Sequence, residues 1–191
     1  MSHAHASRVC RTVALFLVVS SGLSPARAGS IVDEVKLGVL AHDIGVLGDA
    51  KEHGADIMGE VLFTSPDFLS IIGAPRPVLG LSGNTSGGTD YAYADLNWTG
   101  FFWHPEEGPE GAGVYVSGIL GGAVHDGPLN HPTEHKEALG TRALFHLGAA
   151  LGYQMTARNS VEVYFDHLSN ADTSSHNPGL NNVGVRVGFK F

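Results

Sequence analysis

The chain has 191 residues, 11 Lys and Arg against 19 Asp and Glu, 26 glycines and one cysteine, for a formal charge of −8. That length suits one domain, the acidity argues against a nucleic-acid binder with its usual basic patch, and the glycines lack the three-residue period of collagen. Charged residues make up only 16% of the chain, against ~25% in an ordinary soluble domain, while the apolar content is too high for disorder.

The first predicted element is a signal peptide over residues 1–28. Arg8 and Arg11 give it a positive start, Val13 to Ser20 an apolar run, and Ala26-Arg27-Ala28 a small-x-small cleavage site. The run is far shorter than the ~20 residues that span a bilayer as a helix. Cys10 falls inside this segment, so residues 29–191 hold no cysteine and cannot be a disulfide-stapled secreted miniature.

Eight predicted strands follow: Glu34–Asp43, Ala55–Phe63, Pro77–Gly83, Asp90–Trp103, Gly113–Gly122, Leu139–Met155, Ser160–Asn170 and Leu180–Phe191. Glycine-, proline- and asparagine-rich stretches separate them. The piece Phe68–Gly73 reads equally as a short strand or a helical turn. In the last run Val183, Val185, Val187, Phe189 and Phe191 share one face, and Asn182, Gly184, Arg186, Gly188 and Lys190 the other. The first and sixth runs alternate in the same way. The acids collect in turns such as HPEEGPEGA and ADTSSHNPG.

A soluble β-sandwich or lipocalin-like barrel would show the same alternation over any single strand. An export signal without cysteine, an even strand count and an amphipathic last run ending on Phe191 favour an all-β, eight-stranded antiparallel transmembrane barrel over residues 29–191. Its apolar face meets lipid and its narrow interior is filled by side chains, so it is no channel. With both chain ends in the periplasm, residues 44–54, 84–89, 123–138 and 171–179 form the outer loops. There Lys51, His131 and Lys136 can meet anionic lipopolysaccharide, a weak signal because acids are as common. His125, His131 and His135 fall in one such loop and read as solvated histidines rather than metal ligands.

The familiar Walker, zincin, dithiol and G-x-S-x-G signatures are absent. One constellation stands out. His167 and Ser169 lie two residues apart on a strand, so their side chains are neighbours on one face. That face also carries Val161, Val163 and Phe165, the predicted lipid side, where a His and a Ser are costly to place without purpose. A His beside a Ser hydroxyl can act as general base for attack on an ester, with a third group orienting the imidazole. The bland alternative is a His and a Ser at the headgroup level.

FDHLSNA at 165–171, NPGL at 177–180 and the final NNVGVRVGFKF resemble the lipid A 3-O-deacylase (acyloxyacyl hydrolase) family of Gram-negative outer membranes. EVKLGVLAHDIG, PRPVLGLSGNTSG and SGILGGAVHDG look like its alphaproteobacterial branch. The resemblance implies an eight-stranded barrel with a catalytic serine, histidine and acid on its outer wall at the level of the outer leaflet, and lipid A in lipopolysaccharide as substrate. Carried over, Ser169 matches the nucleophile, His167 the base and Asn170 an asparagine that supports the oxyanion. The family pattern puts a Glu where this chain has Asn181. Phase places Asn181 on the outward face, across the hairpin from His167. It can orient the ring but cannot stabilise imidazolium by charge, and Asp172 is the alternative acid. Serine chemistry needs no metal or cofactor. The expected activity is thus a carboxylic ester hydrolase of the outer membrane. The alternative is a weak or inactive barrel with a structural or surface-interaction role, and a homodimer remains open.

Overall fold

The structure is a computed structural model that describes residues 30–46 and 50–191; the predicted signal peptide lies outside the described residues. Eight strands form a closed antiparallel barrel in chain order, β1 Val32–Ala41, β2 Ala55–Phe63, β3 Arg76–Asn84, β4 Tyr91–Trp103, β5 Gly113–His125, β6 Ala143–Gln154, β7 Asn159–Ser169 and β8 Leu180–Lys190. β1 pairs with β2 on one side and β8 on the other, so no sheet edge is left open.

Period-two alternation sorts the side chains. On β8, Val185, Val187 and Phe189 are exposed while Arg186 between them is wholly buried. Leu37 and Val39 on β1, Leu147 and Leu151 on β6 and Val163 on β7 are likewise exposed. This apolar outer wall is the coat that lipid requires of a membrane barrel.

The connections at one end, residues 42–54, 85–90, 126–142 and 170–179, are on the whole longer than residues 64–75, 104–112 and 155–158 at the other. Outer-membrane barrels carry short turns on the periplasmic side and longer loops outside, which sets the direction expected from the sequence.

Four details differ from the sequence reading. β6 begins at Ala143 rather than Leu139, because Leu139 turns inward as a buried core residue and Gly140 takes a φ of 77°. β5 runs on to His125, since its pairing with β4 continues through Val124↔Ala92 and His125↔Tyr91. His125 is therefore no solvated loop residue: it is buried, with its Nε2 2.7 Å from Thr141 O. The segment left open becomes a 3-10 turn, Asp67–Ile72, ended by Gly73 at φ 88°. It folds against the wall, where Trp98 Nε1 donates to Ile72 O at 2.8 Å.

The fourth correction concerns charge. Many acids are not in turns but on strands, pointing into the barrel: Glu34, Asp56, Glu60, Asp95, Glu162 and Asp166 are all buried. They are matched there. Arg186 pairs with Glu60 at 3.1 Å and Glu162 at 2.7 Å, Lys36 reaches Glu162 at 2.8 Å, and the Arg186 guanidinium lies 3.5 Å from the Tyr164 ring centroid. Nearer the outer end, His146 Nδ1 lies 2.8 Å from Asp95 Oδ2, and Tyr91 and Asn182 donate to Asp166. Glycine makes room for the aromatic part of this filling. Gly80 sits directly across from Tyr93 and Gly152 across from Tyr115, and a Cβ at either glycine would run into the facing ring.

Candidate active site

β7 and β8 place the candidate residues. In their register His167 faces Asn181, with Asp166 facing Asn182 beside them. Because alternate residues point to opposite sides, the first pair looks outward and the second inward. His167 Nδ1–H donates to Asn181 Oδ1 at 2.8 Å. That bond fixes the proton on Nδ1 and leaves Nε2 with its lone pair free, the form a general base needs. Inside the wall, Asn182 Nδ2 donates to Asp166 Oδ1 at 2.7 Å, so Asp166 is engaged in the interior network.

On the other side of β7, Ser169 pairs with Phe145 and His167 with Leu147. Phe145 and Leu147 are about half exposed, so the serine and histidine sit beside an apolar wall. No hydrogen bond joins His167 to Ser169, a contact that in free enzymes commonly tightens only with substrate bound.

Asn170 is buried. Its Nδ2 donates to Leu139 O at 3.0 Å and to His176 O, and its backbone N–H donates to Asn177 Oδ1 at 2.9 Å. It ties the start of this loop to its own far end at His176 and Asn177 and to Leu139 of the β5–β6 loop. Ala171 and Asp172 follow in left-handed conformations, with φ of 52° and 60°, and Thr173 N–H donates back to Asn170 O at 3.1 Å. Asp172 is exposed, and its carboxylate accepts from Asn177 Nδ2 at 2.9 Å. Lys136, expected to face lipopolysaccharide, is paired at 2.8 Å with Asp126, whose carboxyl that ammonium helps hold below the ordinary range despite partial burial.

Two features escape the sequence. Gly179, at φ 70°, packs against the imidazole, and a Cβ there would lie 3.0 Å from His167 Cε1. The N-P-G spacing before Leu180 is a visible trace of that need. The second is a buried knot of outer loops with no local sequence signal. His42 Nδ1 lies 2.9 Å from Asp56 Oδ2 and its Nε2 3.0 Å from Glu52 Oε2, with all three side chains wholly buried. Burial alone would lower the His42 pKa, but its bonds to Asp56 and Glu52 outweigh that and push it up to about 9. Burial likewise opposes ionisation of Glu52, yet His42 and the N–H groups of Glu137 and Thr89 hold its carboxyl below the usual 4.5. Asp43, raised by burial against the N–H bonds of Lys51 and Glu52, works in the opposite sense.

A group raised in the folded state stabilises it fully below its unfolded pKa and loses that contribution as pH rises through the folded value. The His42 contribution is therefore complete below 6.5 and lost through about 9, an upper bound of roughly 3 kcal/mol at 1.36 kcal/mol per pKa unit. The Glu52 contribution is complete above 4.5 and lost as pH falls below that. Urea unfolding from lipid vesicles should show wild-type stability falling between pH 7 and 9, and His42→Gln should flatten that fall. An identical pH profile in the variant would count against a charged His42.

The family model described as lipid A 3-O-deacylase (PagL) matches residues 77–190, more than half of the chain. A search of curated proteins gave no match. Among solved structures the chain is similar to the outer membrane enzyme PagL, with a TM-score of 0.63 and 16% identity over 83% of this chain and 99% of that one. It also matches a de novo designed transmembrane β-barrel (0.47, 11% identity, 86% and 98% covered). A third match is the N-terminal β-barrel domain of Pseudomonas aeruginosa OprF (0.47, 14%, 83% and 98%). The closed eight-stranded barrel with its lipid-facing wall is that of a Gram-negative outer-membrane protein, and the chain belongs to the lipid A 3-O-deacylase family.

Proposed function

We infer that this barrel hydrolyses an ester-linked acyl chain of lipid A by a serine–histidine mechanism. The observation that carries the reading is the His167–Asn181 hydrogen bond beside Ser169 on the outer wall. His167 Nε2 takes the proton of Ser169 as Oγ attacks the ester carbonyl. The tetrahedral intermediate collapses by breaking the bond to the sugar oxygen, which receives that proton from His167 and leaves as an alcohol. Water then attacks the acyl-enzyme with His167 again as base, releasing the fatty acid and restoring Ser169. Asn181 holds the ring in the Nδ1–H tautomer. Asn170 supports the site by pinning the turn after the nucleophile, and Asp172 is left outside the reaction because Asn181 already occupies Nδ1. The acyl chain lies along Phe145 and Leu147, already in the phase where lipid resides, so the substrate need not leave the membrane.

Overproduction in a Gram-negative host, followed by mass spectrometry of lipid A, tests this. The expected result is a new species lighter by one hydroxyacyl chain. Lipid A of unchanged mass, with the barrel folded in the outer membrane, would leave a structural role instead.

A further inference from the structure

The outer loop between β1 and β2 reaches the candidate site directly. Ile44 N–H donates to the backbone carbonyl of Asn181 at 2.7 Å, and Asp43 N–H donates to Asn182 Oδ1 at 3.0 Å. Asp43 makes this turn with a φ of 50°, an uncommon conformation for a residue with a side chain, so something must hold it. The Asp43 carboxylate itself accepts from the N–H groups of Lys51 and Glu52 at 2.9 and 3.0 Å, folding the far end of the loop back onto its start.

Glu52 is the knot of the arrangement. Its Oε1 accepts from Thr89 Oγ1 at 2.8 Å and Glu137 N at 2.7 Å, and its Oε2 from Thr89 N and from His42 Nε2 at 3.0 Å. One buried carboxylate thus joins three outer loops. His42 links it to Asp56, which also accepts from Ser82 Oγ at 3.3 Å and Asn84 Nδ2 at 2.9 Å at the rim of the barrel. A charged loop residue is almost never fully buried unless it is paired. Here every oxygen of Glu52 has two donors.

We propose that Glu52 and His42 are positioning residues: through Asp43 and Ile44 they clamp the β1–β2 loop onto Asn181 and so hold the Asn181–His167 pair in register with Ser169. The proposal rests on the reading of Asn181 as the group that orients His167. Without the clamp, residues 43 and 44 lose the anchor that keeps their N–H groups on β8. No hydrogen bond to Asn181 Nδ2 fixes its amide even with the clamp in place, so once the loop no longer holds the Asn181 backbone the side chain can turn. The His167 ring loses its fixed tautomer, while the interior network below remains intact.

The test is Glu52→Gln in the full-length barrel refolded in detergent micelles, with ¹⁵N-labelled histidine. A glutamine cannot accept all four donors. In the wild type the His167 ring should report the Nδ1–H tautomer; in Glu52→Gln it should report a mixture, and amide exchange of residues 43 and 44 should rise at least tenfold while that of β5 and β6 is unchanged. On lipid A, kcat should fall about tenfold with little change in KM. Should Glu52→Gln fail to fold, Thr89→Val removes one of the four donors, and the same shifts are expected at smaller size. Unchanged His167 signals and unchanged exchange in the folded variant overturn the proposal. Neither readout needs substrate, so a wild type inactive on lipid A sinks the hydrolase reading and leaves the clamp standing or falling by itself.

Discussion

Ser169→Ala is expected to lower the rate of lipid A deacylation by about three orders of magnitude or more while leaving the fold intact. Ser169 is the last residue of β7, partly exposed, and bears only a hydroxyl on the outer wall, so its loss removes the nucleophile and little packing. Loss of a serine nucleophile elsewhere costs up to ~10⁶ in kcat. The effect here is measured from a lower starting point, because a neutral residue stands where a carboxylate would stabilise the imidazolium. An asparagine there in a serine triad costs about 10⁴ through the wrong tautomer, a loss that the Asn181 Oδ1 acceptor avoids in part by keeping the proton on Nδ1. The matching expectation is that Asn181→Asp raises kcat by roughly 10²-fold or more, since the isosteric carboxylate keeps an oxygen at the position 2.8 Å from His167 Nδ1. Single-turnover assays on purified lipopolysaccharide separate the two effects from substrate binding. Full activity in Ser169→Ala would exclude this serine, and no gain in Asn181→Asp would show that orientation alone suffices.

Arg186→Met should destabilise the barrel by about 3–5 kcal/mol, the usual cost of removing one partner from a buried ionic group. The guanidinium is wholly buried between Glu60 and Glu162 and lies on the Tyr164 ring. Its removal leaves Glu162 with Lys36, but Glu60 keeps only the Tyr93 hydroxyl, 3.0 Å away. Adding Glu60→Leu to Arg186→Met should therefore recover much of the loss, because a neutral filling of similar volume meets no unpaired charge. Urea unfolding midpoints in vesicles for the two singles and the double measure the coupling. A loss below about 1 kcal/mol in Arg186→Met would mean that water reaches the interior.

How far the site is legible in the sequence follows from which contacts are local. His167 and Ser169 share a face because they are two apart on one strand, and Asn181 meets His167 because a hairpin turns the next strand back beside it. Spacing and hairpin pairing are enough for both. Asn170 is different: its amide protons go to Leu139 and His176, and nothing in the segment around it shows that Leu139 turns inward. The knot at Glu52 is further from view, since its four donors come from three loops far apart in the chain.

By itself the sequence determined the all-β class, the eight strands and, on the first, sixth, seventh and last of them, which face meets lipid, because a period of two and turn residues are properties of neighbouring positions. The low charge and high glycine content of the chain also follow, in part: lipid excludes charge from the outer wall, and glycine makes room for tyrosines opposite. Only the closed barrel decided where the remaining charge goes. Ring closure brings Lys36, Glu60, Glu162 and Arg186 from four strands to one buried cluster, and it sets His42, Glu52 and Asp56 beneath the outer loops. Glu162 and Arg186 already face each other across a hairpin, but Lys36–Glu162 and Arg186–Glu60 reach across the β1–β8 seam, so those partners meet only once the sheet has closed.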